Sequence, residues 1–93
     1  MTEQTKIVAR LVDGAIDLGL TGRTAWALLN LVEAGERGCT PIDSPAPRWS
    51  GYVHKLRRLG IEIETITEPH GGPFAGSHGR YVLRSAIKII EAS

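Results

Sequence analysis

The sequence predicts an α+β domain: a helical core with a β-hairpin after it and another before it. Three observations carry this. Residues 21–34 and 47–59 repeat apolar side chains at helical spacing. Residues 61–65 and 80–84 read as strands on either side of Glu68–Gly79, a stretch holding four glycines and two prolines. Residues 16–20 alternate apolar and polar just after Asp13-Gly14, a strong hairpin turn signal.

Taken in order, the N-terminal segment is the most ambiguous. Ile7, Val8, Leu11, Val12, Ala15 and Ile16 suit an amphipathic helix. The alternation of Ile16-Asp17-Leu18-Gly19-Leu20 and the helix-weakening Gly14 and Gly19 favour a hairpin, with helix as the alternative. The helix 21–34 has Thr21 to cap it and Gly35 to stop it. Trp26, Leu29 and Val32 form its apolar stripe, widened by Ala25, Leu28 and Leu31, so it sits between other elements. Arg23, Ala27 and Asn30 are expected to face out, and Trp26 to be buried. Residues 36–44 form a connection in which Thr40 can cap a single turn, Pro41-Ile42-Asp43.

The helix 47–59 buries Trp49, Tyr52, Val53, Leu56 and Leu59 on one stripe, with Trp49 at its start half exposed. The opposite side carries Arg48, Ser50, Gly51, His54, Lys55, Arg57 and Arg58, and no acidic residue lies between Ser44 and Gly60. Gly60 ends it. The strand that follows breaks phase at Ile66, where a bulge or a second packed face is expected. Ser85 can cap a closing helix over 86–91.

Ninety-three residues make one domain with a small core, since a chain of this size buries about 60–65% of its unfolded surface. Net charge is +1 and by itself does not argue for nucleic acid. Its distribution says more. Residues 1–43 hold four Lys/Arg against six Asp/Glu, whereas 44–93 hold seven against four. A single cysteine, Cys39, excludes an intramolecular disulfide and reads as a small buried filler in a reducing compartment. No run reaches the ~20 apolar residues of a membrane helix, and Met1–Lys6 lacks the blocks of a signal peptide. The expected location is cytoplasmic.

Helix, short turn, helix, strand, glycine-rich loop, strand is the order of a winged helix-turn-helix, with the wing over 61–84. Leu20–Ala25, the run Tyr52-Val53-His54-Lys55-Leu56-Arg57-Arg58-Leu59-Gly60-Ile61 and Gly79–Leu83 together resemble the small winged-helix proteins of bacteriophages and prophages. The likeness covers roughly residues 20–85 and implies DNA binding. The chain departs from that pattern in one place: the second helix of the usual unit is reduced to Thr40–Asp43 or missing.

A basic outer helix face is what a protein presents to the major groove, with early residues near base edges and late ones near phosphates. Arg48, Ser50, Gly51, His54, Lys55, Arg57 and Arg58 are therefore the candidate DNA contacts, joined by His78 and Arg80 from the wing, which lies on the backbone or in the minor groove. The competing account of the same residues is a solvated basic face and an ordinary hairpin. His70 and His78 lack the partners of a metal site, so neither metal nor cofactor is expected. Asp43, Ser50 and His54 are types found in nucleophilic triads, but no nucleophile elbow, phosphate loop or dinucleotide fingerprint accompanies them, and no enzyme is read. The leading function is a small phage- or prophage-type transcriptional regulator bound to double-stranded DNA. The alternative is a winged helix used for protein interaction or oligomerisation, with Phe74 at the wing tip and Glu62, Glu64 and Glu68 repelling phosphate. A homodimer, joined through 86–91 or the N-terminal hairpin, is a further partner in view.

Overall fold

The computed structural model describes residues 5–40, 48–71 and 76–92. In chain order it has β1 (Lys6–Leu11), β2 (Ile16–Thr21), α1 (Gly22–Ala34), α2 (Trp49–Arg58), β3 (Ile63–His70), β4 (Gly76–Leu83) and β5 (Ile87–Ala92). Short 3-10 turns lie at Val12–Gly14 and Gly35–Arg37. The α+β class, both helices and both hairpins are as the sequence indicates. The expected turn at Pro41–Asp43, the helix start at Pro47 and the wing-tip Phe74 fall outside the described residues.

The N-terminal alternatives resolve to a hairpin. β1 and β2 pair antiparallel from Lys6↔Thr21 to Leu11↔Ile16, which leaves a four-residue connection. Asp13 and Gly14 lie in it, but the left-handed position is Ala15, with φ 54° and ψ 37°. The exposed face of this hairpin carries a bidentate pair, Arg10 Nε and Nη2 donating to the Asp17 carboxylate at 2.7 and 3.2 Å.

The closing helix expected over 86–91 is instead β5, paired antiparallel with β1 in a three-stranded sheet of order β2-β1-β5. The reason is local weakness and a waiting partner. A six-residue helix makes few internal hydrogen bonds, three isoleucines lose side-chain freedom in it, and β1 has an edge to pair. Ser85 caps nothing; its Oγ accepts the Glu62 N–H at 2.7 Å. The bulge expected at Ile66 is also absent: β3 and β4 stay in register from Ile63↔Leu83 to His70↔Gly76. The register shift lies in the other sheet, between Val8 and Ala9 of β1, with Ile90 as the extra residue on β5. The wing loop is shorter than the glycine-rich stretch suggested, because Glu68–His70 and Gly76–Gly79 belong to strands.

α1 packs between the three-stranded sheet and α2. That double contact buries Ala27 fully along with Ala25, Leu28 and Leu31, so Ala27 does not face out as expected. Asn30 is half-buried and donates from Nδ2 to the Trp26 carbonyl at 2.8 Å. Thr21 makes no side-chain cap, whereas Gly35 closes the helix at φ 57° with its N–H on the Leu31 carbonyl. One core joins Ile7, Ala9 and Leu20 of the sheet, the α1 residues, Val53 and Leu56 of α2, and Ile61 and Ile63 at the wing root.

A short link ties α1 to the wing. Gly38 has φ 71° and ψ −177°, a conformation that is essentially glycine-only. It brings Cys39 beside β4, where Cys39 and Tyr81 exchange two backbone hydrogen bonds of 2.8 Å. Cys39 is buried there, as expected of a small filler.

Candidate nucleic-acid interface

The basic helix is anchored by an aromatic cluster at its start. The Trp49 ring lies 5.5 Å from Trp26, 6.4 Å from Tyr52 and 6.0 Å from Tyr81, the last nearly parallel at 22°. The expected exposures of the two tryptophans are therefore exchanged: Trp49 is 2% exposed and Trp26 only partly buried. Trp49 sits where α2, α1 and the wing meet, and that triple contact encloses it. Trp49, Val53 and Leu56 form the buried stripe. Leu59 leaves it and is 42% exposed, because α2 ends at Arg58 and the chain turns there.

Fixing the stripe fixes the opposite side. Arg48, Ser50, His54, Lys55, Arg57 and Arg58 are exposed, and Gly51 is partly buried. Arg48, the residue before the helix, is left-handed at φ 68° and ψ 33°, a costly conformation for a side chain with a Cβ. A Cβ at Gly51 would meet only the Arg48 Cβ, at 3.9 Å, so nothing in the fold requires glycine there. Among the described residues, Arg48, His54, Lys55 and Arg58 make no side-chain hydrogen bond or ion pair.

Arg57, His78 and Arg80 are engaged within the fold. Arg57 Nη2 donates to the Ile63 carbonyl at 2.6 Å and to Thr65 Oγ1 at 2.9 Å, joining α2 to β3. Arg80 Nε donates to Glu68 Oε2 at 2.7 Å, and its Nη1 reaches the Arg37 carbonyl at 2.9 Å. His78 Nε2 lies 3.1 Å from Glu68 Oε1. The Arg80 hydrogen bond, more than any other influence, holds the Glu68 carboxyl below the ordinary glutamate range; the charge of Arg80 and the His78 contact add to it, against a smaller opposing desolvation. The sequence places these basic groups but not their partners, which lie across the β-ladder or on another element.

Two of the wing glutamates, Glu64 and Glu68, are paired with cations of the wing. Glu64 pairs with Arg84 at 2.7 Å. Glu62 and Glu64 line a cleft with Arg57 and Arg84. Arg58 lines a different cleft, with Lys55 and the β2–α1 junction. A smaller cleft of about 150 Å³ joins Arg48, Gly51, Tyr52 and Lys55. Neither of these last two has an acidic residue in its lining. Thr21 and Thr24 belong to this surface, and sequence reading missed them because their place depends on how α1 crosses α2.

No group of three or more His, Cys, Asp or Glu able to hold a metal occurs among the described residues, and no described helix is long and apolar enough to cross a membrane.

A two-stranded hairpin beside a basic, aromatic-anchored helix, on a small helical core, defines a winged helix domain. A family model described as a winged helix domain matches residues 17–93, most of the chain, and the chain belongs to that family. No curated protein and no solved structure matches it.

Proposed function

We propose that this domain binds double-stranded DNA, with the exposed side of α2 in the major groove and the β3–β4 wing along the backbone. The observation that carries this is the sorting of charge around α2. Arg48, Lys55 and Arg58 line clefts that hold no carboxylate, and His54 is exposed on the same helix, while Glu64 and Glu68 are neutralised by cations of the wing itself. An acidic wing on the same side as Arg58 would have favoured a protein partner.

Within that reading the residues divide. Arg48 and His54, early on α2, read base edges; Lys55 and Arg58, late on it, hold phosphates. Arg57 and Arg80 set the wing against the body through the Ile63 and Arg37 carbonyls. The action is binding, without catalysis. The resemblance of residues 52–61 to phage winged-helix proteins supports a role as a small transcriptional regulator of that type, working in the cytoplasm.

The test is binding to random duplex DNA over a salt series. Log affinity should fall linearly with log salt, and a selected sequence should bind tighter than random duplex. Arg48→Ala or His54→Ala should relax preference at one or two base pairs, at a cost of about 1–3 kcal/mol. No binding even at about 50 mM salt, where charge attraction is little screened, would overturn the DNA reading and leave the protein-interaction module.

A further inference from the structure

We propose that the cleft between the β2–α1 junction and the C-terminal half of α2 seats a backbone phosphate, with Thr24 as a ligand beside Lys55 and Arg58. This rests on the DNA reading above and extends the interface to α1, which carries none of the residues proposed above as DNA contacts.

The cleft is open to solvent, with a volume of about 390 Å³, and its lining includes Gly19, Thr21, Thr24, Lys55, Arg58 and Leu59. Lys55 and Arg58 are three apart on α2, so they are neighbours on one side of the helix. Two cationic and two hydroxyl-bearing residues, with no acidic residue among them, give the lining the composition of an anion seat. The cleft lined by Arg57 and Arg84 makes a useful contrast, because Glu62 and Glu64 share its lining and Glu64 pairs with Arg84. The second wall supports the same chemistry. Thr21 precedes α1 without capping it, and no acidic residue lies in the first turn of that helix. A Cβ at Gly19 would meet nothing within 4 Å, so the approach is open. Lys55 also lines the neighbouring cleft with Arg48, Gly51 and Tyr52, so the seat continues a cationic track along α2. A polyanion lying in that track would place one phosphate over Thr24.

Thr24 gives an unusually clean test. It is the third residue of α1 after the cap position Thr21. Glutamate at that position is the N3 residue of a capping box, able to reach back to the Thr21 N–H and favour the helix, yet it places a carboxylate where the phosphate would sit. We expect Thr24→Glu to keep or raise the melting temperature while weakening duplex binding about tenfold or more. Thr24→Val should weaken it a few-fold with an unchanged salt slope, because a neutral ligand releases no counterion. Lys55→Ala and Arg58→Ala should each flatten the slope by about one unit. Lys88→Ala, on β5, should leave binding and slope as in the wild type. Thr24→Glu and Thr24→Val both binding like wild type would overturn the seat. Failure of the wild type to bind duplex would overturn the DNA reading instead. The seat is then tested alone with inorganic phosphate. A melting temperature raised for the wild type but not for Lys55→Ala/Arg58→Ala would uphold it as a free-anion site, and equal shifts would overturn it.

Discussion

At the scale of single residues, Gly38 decides more than any charged group. Its φ of 71° with ψ of −177° aims the chain at β4, and a Cβ there would lie 2.6 Å from the Tyr81 carbonyl oxygen and 2.8 Å from Val82 Cγ2. Gly38→Ala meets both a glycine-only conformation and a backbone clash. It should destabilise the domain by at least about 1–3 kcal/mol, read from chemical denaturation, and should lower hydrogen-exchange protection at Cys39 and Tyr81. Glu68 offers a second test at this scale. Its folded-state carboxyl titrates lower than an unfolded glutamate because Arg80, then His78, favour the charged form. The resulting stability is fully present above the unfolded value and is lost as pH falls through the depressed folded value. Melting temperatures of wild type and Glu68→Gln should differ near neutrality and converge in acid. The difference should be small, because the pair is solvent-accessible. A gap that widens on acidification would mean the Arg80 contact does not act on Glu68 as described.

At the scale of elements, α2 is the sharpest case, because its inside and outside have different jobs. Leu56 is fully buried, so Leu56→Ala should cost about 2–5 kcal/mol. Arg58→Ala, on the exposed side, should change stability by less than about 0.5 kcal/mol. Thermal melts of the pair check both, and equal losses would reverse the assignment. Such elements are legible in a sequence because one-sided burial prints a period on it. Both helices and the β3–β4 pair announce themselves this way. β5 does not: Ile87-Lys88-Ile89-Ile90 fits a helix turn or a strand, and the edge of β1, some eighty residues earlier in the chain, makes the choice. Ile66 broke the alternation without a bulge because its own side chain is exposed on the wing, so no core penalised its place there. Trp49 and Ala27 were misjudged for a related reason, since each is enclosed by an element that its own helix does not reveal. The site follows the same rule. The basic face of α2 is written in its own residues, while Arg57, Arg80 and Thr24 acquire their roles only from groups brought to them by the fold.

At the scale of the molecule, the two sheets have no strand in common, so α1 and the α2 stripe must hold them together. Ile7 and Ala9 on β1 belong to the same core as Val53 and Leu56 on α2 and Ile61 and Ile63 at the wing root. The Cys39–Tyr81 bridge and the Arg80 contact to the Arg37 carbonyl add polar ties at the wing end. Position of the wing relative to α2, on which the proposed interface depends, is thus a property of the whole core rather than of the wing. A perturbation far from the wing should reach it. Ile7→Ala empties a site that is 3% exposed on β1, at a cost of about 2–5 kcal/mol. For a domain of this size that lowers the melting temperature by about 10 °C or more. Tryptophan emission reports the Trp26–Trp49–Tyr81 cluster beside the wing, and far-ultraviolet circular dichroism reports all elements. Both should shift together and stay superimposed, as for a single cooperative unit. Emission that holds at the wild-type midpoint while the dichroism transition moves down would show two sheets melting independently, and the wing would then need some support other than the shared core to stay registered with α2.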